Sequence, residues 1–323
     1  MTQLPEWAIG PFIKYQGNPI LSPSTSGFDS WTVYNGAVAV KDGVFHLFYR
    51  AETRDEADTP YMGTSRIGHA TSQDGYNFVR SSVSPIIDAT EAYELPGGCE
   101  DPRIVKVGSE WHLLYTAYKY PDQVQICDAV STDLLHWEKR GPIFKSDTNP
   151  TLNSKSCCVV CNPAGEAVRI DGVYVMYCNE FLARSSDFIN WDLEPFEAQD
   201  FAGNAVEVCV AVTDYKVVGE DDIVIFIAGD LNKIYPEGNY HYALTEALYS
   251  RSNLKERLDY LPAAILVAEH PFEKSTDRLP FPNTEKGTIF LDSILKHEGK
   301  WWLYYGASDQ YMALAQATDR NAK

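Results

Sequence analysis

The residues best suited to chemistry are Glu100-Asp101-Pro102-Arg103, which place two carboxylates, a rigid proline and a guanidinium in four consecutive positions. They come directly before a mainly apolar run at residues 104–107, which is typical of the start of a β-strand. A second carboxylate beside Asp101 in a partly desolvated site would raise its pKa into the range useful for a general acid. On spacing alone, a solvated turn with a surface ion pair is the simpler explanation. The elements around the cluster therefore decide between the two.

A strand motif recurs five times, as a turn followed by alternating aromatic and aliphatic residues. The copies begin at Asp42, Gly108, Asp171, Asp221 and Gly299. Most copies are followed by a Ser-x-Asp-x-x-x-Trp/Phe segment, which predicts two strands joined by an Asx-type turn. Because antiparallel units repeated every few tens of residues are typical of propellers, the sequence predicts an all-β fold. We expect residues 1–323 to form a single five-bladed β-propeller domain, with a β-sandwich as the alternative and residues 253–261 as the one helix candidate.

Polar and charged residues follow the motif strands. In a propeller the innermost strand of every blade points toward the central channel, so residues distant in sequence meet there. The residues that end the motif strands include Arg50, Glu52, Tyr118, Asn179 and Asp309. We therefore expect the Glu100–Arg103 cluster to share a funnel with these side chains.

Composition limits the possible partners. The 323 residues hold 27 Lys+Arg and 45 Asp+Glu, a formal net charge of -18, which disfavours binding to nucleic acid or to anionic membranes. A neutral sugar is a better ligand, and we expect no cofactor and no metal site. The seven cysteines are odd in number and irregularly spaced, which predicts buried free thiols. With no signal-like segment and no long apolar run, we expect a cytoplasmic protein; its oligomeric state is not indicated.

The chain resembles glycoside hydrolase family 130, whose members are five-bladed propellers that hydrolyse or phosphorolyse β-mannosides. The matching segments span nearly the whole chain. They are Asn18-Pro19-Ile20-Leu21-Ser22-Pro23, Tyr34-Asn35-Gly36-Ala37, Tyr49-Arg50-Ala51-Glu52, Glu100-Asp101-Pro102-Arg103-Ile104, the Ser-x-Asp hairpins and Tyr304-Tyr305-Gly306-Ala307-Ser308-Asp309. The Glu-Asp-Pro-Arg and Tyr-Tyr-Gly-Ala-x-Asp segments are the most specific of these.

The resemblance implies that Asp101 is the catalytic acid. In the family's phosphorylases this aspartate delivers its proton through a sugar hydroxyl while phosphate attacks the anomeric carbon with inversion. Arg50 matches one of the arginines that bind phosphate there, and Lys155 corresponds to a lysine. The chain departs from the pattern after the third and fourth motif strands, where Cys178-Asn179 and Ala228-Gly229-Asp230 replace an arginine and a histidine. Fewer cations weaken the case for phosphate.

An inverting hydrolase needs a carboxylate base about 6.5–9.5 Å from the acid to activate water. Glu207 stands where the family usually has small apolar residues, and an acid inside a predicted strand requires a reason. Glu285 lies near a glutamate that recurs in the family before the last blade. Both remain candidates for the base, Glu207 slightly favoured, and each is otherwise an ordinary surface or ion-paired glutamate.

Sugar contacts are expected from the polar groups around the funnel, with an aromatic ring as a stacking surface. The candidates are Asn35, Arg50, Glu100, Arg103, Tyr118, Lys155, Tyr305 and Asp309. The leading hypothesis is an inverting glycoside hydrolase acting on short β-mannosides or a related oligosaccharide. The alternatives are an inverting β-mannoside phosphorylase and a catalytically inactive sugar-binding propeller.

Overall fold

The computed structural model describes residues 4–56, 63–121, 123–144, 155–199, 206–215, 222–229, 242–274 and 287–320. In chain order its strands are β1 (Ile13–Lys14), β2 (Thr32–Lys41), β3 (Val44–Glu52), β4 (Arg66–Ser72), β5 (Val79–Arg80), β6 (Gly98–Val107), β7 (Glu110–Lys119), β8 (Gln123–Ser131), β9 (Glu138–Pro142), β10 (Cys158–Cys161), β11 (Arg169–Ile170), β12 (Val173–Tyr177), β13 (Phe181–Ser185), β14 (Asp192–Pro195), β15 (Glu207–Val212), β16 (Asp222–Gly229), β17 (Ala243–Ser250), β18 (Arg257–Tyr260), β19 (Ile289–His297), β20 (Lys300–Ala307) and β21 (Tyr311–Thr318). Short 3-10 turns lie at Arg54–Glu56 and Pro271–Lys274. The predicted all-β class is confirmed.

Within the described residues the strands form five antiparallel groups. They are β2-β3-β4-β5, β6-β7-β8-β9, β10-β12-β13-β14 with β11 on β12, β15-β16-β17-β18 and β19-β20-β21-β1. The third and fourth groups are joined into one sheet, because β10 and β15 pair in parallel. The first strands of the groups (β2, β6, β10, β15 and β19, here called the inner strands) contact one another in a closed ring. The fold is therefore propeller-like.

A separate hydrophobic cluster lies between each pair of neighbouring groups. Strand alternation explains how one strand serves two clusters, since successive side chains point to opposite faces. In β10, Cys158 and Val160 pack toward the fourth group, whereas Val159 packs toward the second. All seven cysteines are free and six are buried, so the prediction of buried free thiols is confirmed.

The Ser-x-Asp segments form the predicted turns. In each one the serine Oγ accepts a backbone N–H three residues on, and the aspartate Oδ1 accepts two further backbone N–H groups. The pairs are Ser72 with Asp74, Ser131 with Asp133, and Ser185 with Asp187. The helix expected at residues 253–261 is wrong, because Arg257–Tyr260 pairs with β17 as strand β18. Tertiary pairing overrides local helix propensity there. No helix in the described residues is long and apolar enough to cross a membrane.

Glu246 joins the N-terminal segment to β17. Its side chain is fully buried, and its Oε2 accepts the backbone N–H of Ile9 at 2.8 Å. Burial raises the pKa of Glu246 to about 8, although Ile9 N–H and Arg320 oppose that rise. The folded state therefore favours the protonated carboxyl, and its contribution to stability is lost as the pH rises through about 8.

We expect the wild-type protein to lose thermal stability between about pH 5 and about pH 8 relative to a Glu246→Gln variant. The amide imitates the protonated carboxyl, so the wild type should lose about 1.4 kcal/mol of unfolding free energy relative to the variant for each pH unit between the unfolded pKa of about 4.3 and the folded pKa, and the difference should stay constant above the folded pKa. Thermal melts of both proteins across this range test the expectation. Parallel Tm curves for the two proteins would contradict it.

Candidate active site

β-Bulges interrupt four of the described inner strands near the axis of the ring. They lie between Tyr34 and Ala37 in β2, between Glu100 and Arg103 in β6, and at corresponding points in β15 and β19. A bulge inserts a residue that is left out of the ladder and re-aims its side chain. Asn35 and Asp101 sit in the first two bulges with φ of 44° and 45°. The local backbone thus turns both side chains off the sheet.

Residues from separate groups line one cavity of about 180 Å³. They are Tyr34, Asn35, Arg50, Asp101, Lys155, Glu207, Tyr242, Thr288, Phe290 and Asp309. Six of the residues predicted from the sequence are among them: Asn35, Arg50, Asp101, Lys155, Glu207 and Asp309. The cavity therefore brings together two cations and three carboxylates from distant parts of the chain.

Asp101 is buried and held by three donors. Its Oδ1 accepts Asn35 Nδ2 at 3.0 Å and Arg50 Nη1 at 3.1 Å, and Lys155 Nζ lies 3.1 Å from Oδ2. Burial alone would raise the pKa of Asp101, but Lys155, Arg50 and the Asn35 hydrogen bond together hold it below its usual range. The expectation of a raised pKa is therefore wrong. The two neighbouring cations and the Asn35 hydrogen bond outweigh the effect of burial.

Glu100 lies behind the cavity lining, not on it. Its carboxylate accepts Arg50 Nη2 at 2.9 Å and Lys155 Nζ at 2.8 Å, and it is fully buried. Arg50 also donates through Nε to Glu52 Oε1 at 3.0 Å. Glu100 thus holds the two cations of the cavity in place, which corrects its expected role as a sugar contact.

Glu207 faces the same cavity as Asp101 from β15. Its Oε2 accepts Ser156 Oγ at 2.6 Å and its Oε1 accepts Tyr242 OH at 3.0 Å. These two donors fix the orientation of the carboxylate. Glu285, the second candidate base, lies outside the described residues.

Asn35 is positioned by a close approach of β20. A Cβ atom at Gly306 would lie 2.2 Å from Asn35 Oδ1, so only glycine fits there. This contact explains the glycine of the Tyr-Tyr-Gly-Ala-x-Asp segment in physical terms. Asp309, at the end of the same segment, reaches the cavity lining with φ of 52°.

Three further predicted contact residues do not line this cavity. Tyr305 is fully buried among the hydrophobic residues between the fourth and fifth groups, and its OH donates to Glu273 Oε1 at 2.8 Å. It therefore offers no stacking surface to the cavity, which corrects that expectation. Arg103 is buried against β15 and β19 and does not line the cavity, and Tyr118 packs against Tyr120 with ring centroids 5.8 Å apart.

A family model described as beta-1,4-mannooligosaccharide phosphorylase matches residues 14–321 of the chain. The chain belongs to glycoside hydrolase family 130. The resemblance inferred from the motifs is thereby confirmed.

Two kinds of protein are similar to this chain over nearly its full length. A 1,2-beta-oligomannan phosphorylase from Thermoanaerobacter sp. (strain X514) is 32% identical over 311 residues, covering 94% of this chain and 95% of the relative. A solved structure of a glycosyl hydrolase from Bacteroides ovatus is 26% identical with a TM-score of 0.84, covering 99% of this chain and 97% of that chain. A second solved structure, with the same identity, TM-score and coverage, represents the GH130 family of mannoside phosphorylases, which contains glycoside hydrolases that target beta-1,2 mannosidic linkages in Candida mannan.

Sequence reasoning missed four residues of this family 130 cavity: Tyr34, Tyr242, Thr288 and Phe290. Tyr34 precedes Asn35 in a quoted motif, so the motif contained a signal for it. The Tyr34 ring lies beneath Arg50, whose Cζ is 4.8 Å from the ring centroid. The other three lie outside the segments that match the family, and the closed ring brings them to the axis.

Proposed function

We propose that this cavity cleaves short β-mannosides with inversion at the anomeric carbon, and that Asp101 supplies the proton for the leaving oxygen. The observation that carries this proposal is the position of Asp101 on the cavity lining, between Asn35, Arg50 and Lys155. Family membership supports the substrate class, since the similar proteins act on manno-oligosaccharides. Asn35 and Asp309 are the proposed sugar contacts.

We propose inorganic phosphate as the co-substrate. A phosphate oxygen would attack the anomeric carbon, the glycosidic C–O bond would break, and the proton from Asp101 would pass to the leaving oxygen, giving α-mannose 1-phosphate. Arg50 and Lys155 on the lining are suitable ligands for the dianion. A phosphate that draws Lys155 from Asp101 would also allow the pKa of Asp101 to rise, so that the carboxyl becomes protonated when the co-substrate is bound.

This choice changes the order of the two hypotheses from the sequence. The sequence favours hydrolysis, because two cations of the phosphorylases are replaced. In the structure Cys178 is buried and Asn179 Oδ1 accepts the Val208 N–H at 3.3 Å, so neither side chain supplies a positive charge. The full-length similarity to an oligomannan phosphorylase nevertheless favours phosphate.

Hydrolysis is the second candidate, and Glu207 is the observation that favours it. This carboxylate lines the same cavity as the proposed acid and is oriented by Ser156 and Tyr242. It could remove a proton from a water that attacks the anomeric carbon, as inverting hydrolases require. The solved relatives that are hydrolases support this candidate.

Product analysis tests both candidates. Purified protein should be incubated with β-1,2- and β-1,4-linked manno-oligosaccharides, with and without inorganic phosphate. We expect α-mannose 1-phosphate that forms only when phosphate is present. Free mannose formed equally in both tubes would establish hydrolysis instead. No product from any oligosaccharide, together with binding detected by calorimetry, would contradict both and support a sugar-binding propeller.

We also infer that the five strand groups are the five blades of one propeller domain. The closed ring of inner strands and the one cluster of apolar residues between each pair of groups support this inference. Strand β1 supports it further, because it completes the last group by pairing with β21, with Ile13 opposite Gln316.

A further inference from the structure

A buried ion pair, Arg103 with Asp292, lies at the axis beside the cavity. Arg103 follows Asp101 and Pro102 at the end of the β6 bulge, and Asp292 lies within the β19 bulge. Their side chains are 7% and 0% exposed. Both residues line a second cavity of about 50 Å³, and neither lines the first. They are therefore close to the proposed site without facing the substrate.

The guanidinium of Arg103 connects three inner strands. Its Nη1 donates to Cys209 O of β15 at 2.6 Å and to Leu291 O of β19 at 2.8 Å, and Nη2 lies 2.6 Å from Asp292 Oδ1. Cys209 and Asp292 are themselves the residues inserted by the bulges of β15 and β19. One side chain thus joins the bulge that aims Asp101 to the strands that carry Glu207 and Phe290.

Charge holds the pair together more than hydrogen-bond geometry does. Both carboxylate oxygens of Asp292, and Nη2 and Nε of Arg103, lack aligned hydrogen-bond partners in the described part of the chain, although the two side chains lie 2.6 Å apart. Removing one partner would leave the other as an uncompensated buried charge. Burying the two charges carries a desolvation penalty, which suggests that the arrangement of the three strands imposed by the pair has a function.

We propose that Arg103 and Asp292 are positioning residues that fix Asp101 relative to Glu207 across the cavity. This inference rests on the proposed function, in which these two carboxylates face the sugar. The spacing matters because a displacement of about 1 Å in reacting groups can cost roughly 100-fold in rate. The pair acts through the backbone of three strands, and touches neither substrate nor co-substrate.

Electrostatics gives the pair a second influence on Asp101. The charged groups that act on Asp292 are Arg103, Asp101, Glu207 and Lys155. Burial raises the pKa of Asp292 and Arg103 opposes this, while Asp101 and Glu207 raise it further. The interaction is mutual, so an ionised Asp292 raises the pKa of Asp101 against the effect of Lys155 and Arg50.

Two variants separate position from charge. Arg103→Lys keeps the positive charge but cannot reach both backbone carbonyls and the carboxylate with a planar fork. We expect kcat on manno-oligosaccharide with phosphate to fall about 10- to 100-fold, with KM changed less than threefold. Asp292→Asn keeps the side-chain volume and removes the negative charge. We expect a similar fall in kcat and, in addition, an alkaline limb of the pH–rate profile that moves to lower pH, because the pKa of Asp101 falls.

Asp128→Asn is the matched control. Asp128 is also a buried aspartate, with its Oδ2 2.9 Å from His112 Nδ1, and the titratable groups acting on it are His112, Arg140 and Glu110. None of these lines the cavity. This variant should lower Tm without moving the pH profile. A pH–rate profile shifted equally by Asp128→Asn and Asp292→Asn would overturn the inference. A kcat within twofold of wild type in both Arg103→Lys and Asp292→Asn would overturn it as well.

Crystal structures of the wild type and Arg103→Lys supply a readout that does not depend on turnover. We expect the separation of the Asp101 and Glu207 carboxylates to change by 0.5 Å or more, on the order of the tolerance of an active site. An unchanged separation would overturn the positioning role. A wild-type protein that turns over no manno-oligosaccharide would instead reject the proposed function, and the structures would still decide this inference.

Discussion

An Asp101→Asn variant should lose about 10²- to 10⁴-fold of its activity on manno-oligosaccharides, because an amide cannot supply the proton that the leaving oxygen needs. The side-chain volume is unchanged, so the sugar should still bind. The variant does lose ion pairs with Arg50 and Lys155, which lie 3.1 Å from the native carboxylate. Steady-state rates and thermal melts should therefore be measured on the same preparation.

The leaving group supplies a sharper test of the role of Asp101. The 2,4-dinitrophenolate group of a 2,4-dinitrophenyl β-mannoside leaves without protonation. The variant should therefore retain far more of its activity on this substrate than on the oligosaccharide. Asp128 is a buried aspartate in the same strand group, so Asp128→Asn serves as the control. Any loss of activity in this variant should be similar on the two substrates. Activity of Asp101→Asn within tenfold of wild type on the oligosaccharide would rule out Asp101 as the general acid.

Glu207→Gln should separate the two proposed acceptors. If water is the acceptor, loss of the base should reduce product formation about 10²- to 10⁴-fold. If phosphate is the acceptor, it needs no base, and the rate should fall less than tenfold. Glutamine can keep hydrogen bonds to Ser156 and Tyr242, so the cavity should keep its shape. Phosphate-dependent and phosphate-independent product formation should be followed in parallel by chromatography.

Lys155→Met is the complementary variant. It removes a cation that lies 2.8 Å from Glu100 and 3.1 Å from Asp101. A phosphorylase should then show a KM for phosphate raised about 10-fold or more, since a charge-assisted contact is lost. Equal losses of both product types in Glu207→Gln, with an unchanged phosphate KM in Lys155→Met, would show that neither residue selects the acceptor.

The sequence predicted where the cavity residues come from better than it predicted their environment. Arg50 and Asp309 follow from the repeat, because strand ends converge in a propeller, whereas Asn35 and the role of Asp101 follow from the family motifs. The depressed pKa of Asp101 did not follow, since it depends on Lys155 and Arg50, which approach only in the folded chain. Local sequence showed a neighbouring carboxylate and could not show the cations opposite it.

Burial on both faces explains the error at Tyr305. Tyr304 and Tyr305 are both fully buried, because β20 packs against a hydrophobic cluster on each side. An alternating pattern therefore identifies the strand but not the face that meets the axis. The local sequence gave no signal for Asp292. Its partner Arg103 is distant in the chain, since it donates to the carbonyl of Leu291 across 188 residues.

Because of the bulges in the inner strands, the residues that face the axis can change while the rest of the fold stays the same. Bulge residues such as Asn35, Asp101 and Asp292 stand outside the register of the ladder, so replacing one disturbs few backbone hydrogen bonds. The outer hairpins, with their Ser-x-Asp turns, can meanwhile stay constant. A descendant of this chain could therefore change its sugar specificity or its acceptor through a few substitutions at the axis and without a new fold.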